Sequence, residues 1–317
     1  MRILLTGSSG WLGRFLAPQL RTAGHQVIGL DVAPGRDTHV LGSVADAALV
    51  DRTVAMEGIG AIIHAGALHK PDIARYPRQA FIDCNVTGTL NLLEAAVRAG
   101  HDRLLFTSTT SLMVSQRVRD GDAGAAFWMD EAFLDGPPRN IYGVTKAAAE
   151  NLCRLFAAEH GLDIAILRTG RFFPEDDDTH HALSGENMKA NEFLNRRLSA
   201  HDAARAHVVA LEKIAGMGCE TFVLSAPPPF ARAEAGELAR DARAVIARHF
   251  PDAAELYAAR GWELPQTIDR VYDPGKAERL LGFRCRTGFA DVLAALRRGS
   301  ELPFDHDPSY VSPTASR

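Results

Sequence analysis

From residue 2 onward the chain alternates short apolar runs with amphipathic stretches, and this rhythm limits what it can fold into. "RILLT" (2–6), "QVIGLD" (26–31), "HVLG" (39–42), "AIIHAG" (61–66), "RLLFTST" (103–109) and "DIAILRT" (163–169) read as strands. Between them, "WLGRFLAPQLRTAG" (11–24), "VADAALVDRTVAM" (44–56), "RQAFIDCNVTGTLNLLEAAVRAG" (78–100) and the stretch opening "NIYGVTKAAAE" (140–150) read as helices. Apolar strands joined by helices imply an α/β fold with a doubly wound parallel sheet, helices covering both faces. After Arg168 the rhythm breaks: helices are expected over 187–197 and 202–214, and a returning strand at 221–226. The expected division is a first unit over 1–170, completed by the returning helix and strand at about 201–225, and a small, mostly helical C-terminal lobe over 171–317. Residues 111–139, with their Gly, Asp and Pro, read as a long loop on the substrate side. The polar tail from about Gly299 reads as frayed.

Of 317 residues, 46% are hydrophobic and 23% charged, the balance of a globular protein. The net charge is −4 and Lys and Arg form no block, so neither nucleic acid nor an anionic membrane is an expected partner. No apolar run approaches the ~20 residues that span a bilayer. The chain enters its first strand at Arg2 with no charged leader, and Cys84, Cys153, Cys219 and Cys285 share no metal-ligand spacing. They read as reduced thiols of a cytoplasmic protein.

"LLTGSSGWLGRFL" sets Gly7, Gly10 and Gly13 between the first strand and the first helix. A turn of this kind lets backbone approach a pyrophosphate, which the free N–H groups and positive dipole end of the helix then attract. Asp31 ends the second strand, where a carboxylate accepts from ribose hydroxyls and repels a 2′-phosphate, favouring NAD over NADP. Tyr142 and Lys146 lie four positions apart on one helix face. An ammonium near a phenol favours the phenolate, so the pair is suited to moving a proton on and off a substrate hydroxyl.

Taken together these residues resemble the short-chain dehydrogenase/reductase superfamily, in particular its extended branch of NAD-dependent sugar epimerases, dehydratases and related reductases. The resemblance spans nearly the whole chain. Gly-Ser-Ser-Gly-Trp-Leu-Gly (7–13) matches the extended-type glycine pattern, "HAGALHK" (64–70) looks like the segment passing along the cofactor, and "NVTGTLNLLEAA" (85–96) is similar to the family's long helix. "FTSTTSLM" (106–113) and "DPGKAERLLGF" (273–283) look like the active-site strand end and the C-terminal signature. The resemblance implies a Rossmann-type fold with NAD held by Gly7, Ser9, Gly10, Trp11, Leu12, Gly13, Asp31, Ser43, Val44, Ala65, Gly66, Ala67, Asn85, Tyr142 and Lys146. It implies Tyr142 as acid/base, Lys146 on the nicotinamide ribose and lowering the tyrosine pKa, and Thr109 orienting the substrate oxygen, with Ser108 and Thr110 beside it. It also implies a homodimer.

The chain departs from that pattern in three places. Ser43 stands where an Asp often holds adenine. Thr110 and Ser111 occupy the places of the Asp-Glu pair of sugar dehydratases, which argues against dehydration. The connection from "LRTGRFFPE" to "RRLSAHDAARAH" is about thirty residues, short for wrapping a nucleotide sugar, and similar to uronate dehydrogenases. Arg171, Arg196 and Arg197 then suit a carboxylate or phosphate. His69 is a candidate substrate contact. His64, His69, His180, His181, His201 and His207 have spacings that fit no metal site, and no metal is expected. The expected activity is Tyr/Lys-assisted hydride transfer on a sugar or sugar derivative, epimerase-type; the alternatives are a dehydrogenase of a small free sugar acid and a non-catalytic dinucleotide sensor.

Overall fold

The structure, a computed structural model, describes residues 1–56, 58–121, 124–133, 135–174, 183–305, 310 and 312. Seven strands form one wholly parallel sheet: β1 (Arg2–Thr6), β2 (Gln26–Asp31), β3 (Val40–Leu41), β4 (Ile59–His64), β5 (Arg103–Thr109), β7 (Asp163–Thr169) and β8 (Cys219–Leu224). Their order is β3-β2-β1-β4-β5-β7-β8, so the direction of winding reverses beside β1. Ligands of such sheets bind at the carboxyl ends of the strands near that reversal.

The central strands divide their side chains between two cores, because neighbours along a strand point to opposite faces. Ile3 and Leu5 of β1, Leu105 of β5 and Ala165 and Leu167 of β7 pack under the helices Trp11–Thr22 and Ala200–Lys213. Leu4, Leu104, Phe106, Ile164 and Ile166 pack against the helices Ala47–Val54, Gly88–Ala99 and Ile141–His160. Burial on both faces is why these strands read as unbroken apolar runs. The doubly wound parallel sheet expected from the rhythm, and the Rossmann-type fold that the resemblance implies, are observed.

A third core lies among later helices, built on Leu238, Val245, Ile246, Tyr257, Phe289, Val292 and Leu293. Two expectations need correction. The stretch 111–139 is not one loop: it holds the helix Gln116–Asp120 and β6 (Phe127–Met129), which pairs in parallel with β9 (Arg270–Tyr272) far along the chain. The segment past Gly299 is not simply frayed either. Phe304 is buried beside Phe193, Asp305 Oδ2 accepts the Ala200 N–H at 3.2 Å, and Ser312 is buried. Among the described residues, no helix is long and apolar enough to cross a membrane.

Candidate active site

A cavity of about 340 Å³ opens along the carboxyl ends of β1, β2, β4, β5 and β7. Its first half belongs to the glycine turn. Gly7 has φ +75°, and a Cβ on it would sit 2.7 Å from the Gly66 nitrogen. A Cβ on Gly13 would lie 2.3 Å from the Gly7 carbonyl oxygen. Only glycine allows the turn to close this tightly on the helix and on the β4 exit. Gly10 caps the Trp11–Thr22 helix without a side-chain acceptor, so its first N–H groups are left for a ligand, and Gly10, Trp11 and Leu12 line the cavity.

Asp31 lines the cavity too. Its carboxylate is fixed by the backbone N–H groups of Ser9 (3.0 Å) and Ala33 (3.0 Å), one to each oxygen. Each oxygen keeps a lone pair for a further donor. Ser43, whose hydroxyl accepts the Ala45 N–H, and Val44 continue the wall. A helix N-terminus bare of caps and a pre-aimed carboxylate on one elongated cavity fit the pyrophosphate and ribose of a dinucleotide.

The β4 exit, Ala65, Gly66 and Ala67, forms the opposite wall and hangs on a chain of hydrogen bonds. The Gly66 N–H donates to Thr6 Oγ1, which lies 2.7 Å from His64 Nδ1; His64 Nε2 lies 3.1 Å from Thr89 Oγ1, and Thr89 donates to the Asn85 carbonyl. Thr89 has spent its hydrogen, so His64 donates from Nε2 and Nδ1 accepts from Thr6. Burial, then the charge of Lys146, pushes His64 down to about 3, so it is neutral throughout the physiological range. The Asn85 side chain bonds both backbone groups of Leu68 and donates to Thr145. It holds the wall, and the wall faces the cavity.

Tyr142 and Lys146 line the far half on the buried face of the Ile141–His160 helix. The tyrosine is hydrogen-bonded to the Thr109 side chain. Burial pushes its pKa up to about 12, against the Thr109 hydrogen bond and with help from Asp72. The expected lowering by Lys146 is not found. The Lys146 ammonium donates to the Thr107 carbonyl at 2.5 Å and lies 3.9 Å from the Phe106 ring centroid, and burial lowers it to about 8. The pair shares a helix face, yet the lysine serves the strand end.

The remaining expected contacts divide. His69 lines the cavity, edge-on to Phe173 at 4.8 Å, its Nδ1 2.8 Å from Asp72 Oδ2. Ser108 lines it as well, but its hydroxyl donates to Glu150 at 2.6 Å. Thr110 is turned to the Thr169 carbonyl. Arg171, Arg196 and Arg197 gather around buried Glu192, whose carboxyl burial would raise and the three guanidiniums hold low. Arg197 is fully buried, with one terminal nitrogen on Glu192 and the other on the Phe173 carbonyl, so its outer donors are committed to the protein. Arg171 and Arg196 are partly exposed. His180 and His181 lie outside the described residues.

Sequence reading missed Thr107, Thr169, Phe172 and Phe173 in the wall, and Tyr310 and Ser312 from the far end of the chain. It also missed Glu150, which Arg168 grips bidentately at 2.9 and 2.7 Å. A glutamate four residues past Lys146, directly after three alanines, was the available signal.

The sequence profile of the NAD-dependent epimerase/dehydratase family matches residues 3–224. An L-arabinose 1-dehydrogenase (NAD(P)(+)) from Haloferax volcanii is 32% identical over 56% of this chain and 69% of its own length. A dTDP-glucose 4,6-dehydratase from Streptomyces niveus is 27% identical over 92% of this chain and 90% of its own. The solved UDP-glucose 4-epimerase of Thermotoga maritima superposes with a TM-score of 0.65 at 19% identity, covering 94% of this chain and 99% of that one. With a matching fold and a cavity that fits its cofactor, the chain is a member of the NAD-dependent epimerase/dehydratase family, an enzyme of the extended short-chain dehydrogenase/reductase type that uses NAD.

Proposed function

We propose that the enzyme moves a hydride at a sugar-type carbinol carbon, and that its substrate is a small free sugar or sugar acid rather than a full nucleotide sugar. One observation carries the reading: Tyr142, which lines the cavity that the glycine turn opens, is hydrogen-bonded to Thr109 at the carboxyl end of β5. In this reading the Trp11–Thr22 helix N-terminus holds the pyrophosphate, Asp31 the adenosine ribose, Ser43 and Val44 the adenine side, and Lys146 the nicotinamide ribose. NAD supplies the hydride acceptor. Tyr142, protonated at neutral pH, gives its proton to a carbonyl oxygen or relays one from a hydroxyl, while Thr109 fixes that oxygen. Residues 1–170 would form the NAD-binding unit and 171–317 the substrate lobe.

Three features support the small substrate. Thr110 and Ser111 supply no acid or base for water elimination, and Thr110 is turned into the protein. Arg171, two residues past β7, and Arg196 beside it are partly exposed while paired with Glu192, and in this reading their outward nitrogens meet an anionic group. The Haloferax relative is named for a free sugar. Arg197, committed inside, would support them rather than touch substrate. The cysteines are free, which fits a reducing compartment, and the proposal places the enzyme in the cytoplasm.

The test is a panel of aldoses, uronic and aldonic acids and UDP- and dTDP-sugars, scored for NADH release and, separately, for epimer formation. NADH from a free sugar or acid is the expected outcome; turnover of nucleotide sugars alone defeats the small-substrate proposal. A second reading, an epimerase that keeps its NAD through turnover, is favoured by the extra wall that Tyr310 and Ser312 put on the cavity. Stoichiometric NAD in the denatured, purified protein, found by mass spectrometry, supports it.

A further inference from the structure

The cavity has a wall that no dinucleotide-binding signature encodes. Past the helix Phe289–Arg298, Phe304 is buried in the helical core and Asp305 accepts the first free N–H of the Ala200–Lys213 helix. Tyr310 and Ser312 then stand at the cavity itself, and Ser312 is 6% exposed. The Tyr310 ring lies 4.9 Å from that of Trp11, and the Arg14 guanidinium sits 5.7 Å from the Tyr310 centroid and 5.9 Å from that of Trp11.

Trp11 is the first residue of the helix whose N-terminus faces the cavity. Its indole N–H donates to the Phe172 carbonyl at 3.0 Å, and Phe172 lines the other half of the cavity. One indole plate therefore joins the phosphate end, the β7 exit and the segment carrying Tyr310.

We propose that Tyr310 and Ser312 are part of the cofactor site, closing it over the glycine turn, and that the tilted Tyr310–Trp11 ring contact sets how fast a bound dinucleotide leaves. The inference rests on NAD occupying this cavity. A dinucleotide seated along the glycine turn lies behind this wall, and the ring contact must part before it escapes. Entry meets the same wall only when it is shut, so the wall acts on dissociation more than on association.

The experiment measures the NADH off-rate by stopped-flow displacement with excess ADP-ribose, following NADH fluorescence. It compares the parent with Tyr310→Ala, Tyr310→Phe and a chain ended after Asp305. An aromatic pair of this kind corresponds to roughly 3- to 10-fold. Tyr310→Ala should therefore release NADH about 3- to 10-fold faster, and the shortened chain faster still, with association within about threefold of the parent. Tyr310→Phe keeps the ring and should stay far closer to the parent than Tyr310→Ala, which separates loss of the ring contact from a damaged fold. Equal off-rates in all four proteins, each binding NADH, overturn the inference alone. A parent that binds no NADH overturns the cofactor reading and this inference with it.

Discussion

Tyr142 and Lys146 carry shifts of opposite sense, and each writes a sign into the pH dependence of stability. Lys146 is lowered by burial from 10.5 to about 8. A lysine whose folded-state pKa lies below its unfolded one costs stability while charged, and that cost is lifted as pH rises from about 8 toward 10.5. Tyr142 is raised from 10.0 to about 12, so above about pH 10 the unfolded chain gives up a proton that the folded one keeps, and stability falls. Urea unfolding should show the parent gaining on Lys146→Met between pH 8 and 10; a parent that loses ground there contradicts the buried, neutralising lysine. Asp31 is expected to set coenzyme choice. Asp31→Ser removes the acceptor for ribose hydroxyls and the repulsion of a 2′-phosphate. The parent should prefer NAD and the variant should lose that preference, checked by binding titrations of NADH and NADPH. At this scale the sequence singled out, by spacing alone, residues that the structure brings to one cavity: Gly7, Gly10, Asp31, Tyr142 and Lys146. It misread Arg197 because no local pattern shows that Glu192 and the Phe173 carbonyl will claim its donors.

The helix Ile141–His160 brings Tyr142 and Lys146, the proposed catalytic pair, to the sheet, and Glu150 pins it there. Its buried carboxylate accepts from Ser108 on β5 and from Arg168 on β7, and Arg154 of the same helix adds a second cation at 2.8 Å. Burial would raise the Glu150 pKa, but Arg168 and the other partners hold it below the usual carboxylate range. Glu150→Gln leaves a buried guanidinium without its counter-charge, a loss on the order of 3–5 kcal/mol. Urea unfolding should show that loss, with turnover falling further than NADH affinity because Tyr142 moves relative to Thr109. Unchanged stability would show that Arg168 finds another partner. Strands were legible because burial on both faces leaves continuous apolar runs. The β6–β9 ribbon was not, since its two strands are three residues each and pair across most of the second half of the chain. The segment past Gly299 was illegible for a related reason: its anchors are single residues, Phe304, Asp305, Tyr310 and Ser312, spaced without a period.

At the scale of the whole molecule, the fold leaves apolar side chains uncovered on adjacent helices. Ile82 (36% exposed), Val144 (45%) and Leu155 (48%) lie on the helical layer formed by 78–99 and 141–160. A second copy meeting these helices about a two-fold axis would bury them, and the enzyme is expected to be a homodimer by light scattering at low micromolar concentration. A clean monomer would reject this, and Leu155→Glu should weaken the dimer while leaving NADH affinity unchanged. The central claim is that Tyr142, poised on Thr109 in the NAD cavity, moves the proton that accompanies hydride transfer. Its most direct measurement compares the parent with Tyr142→Phe, which removes only the phenolic oxygen, on whichever panel sugar the parent turns over, beside NADH titrations of both. The account predicts turnover reduced at least ~100-fold with NADH affinity within about threefold; a Phe variant that turns over near the parent rate would contradict it.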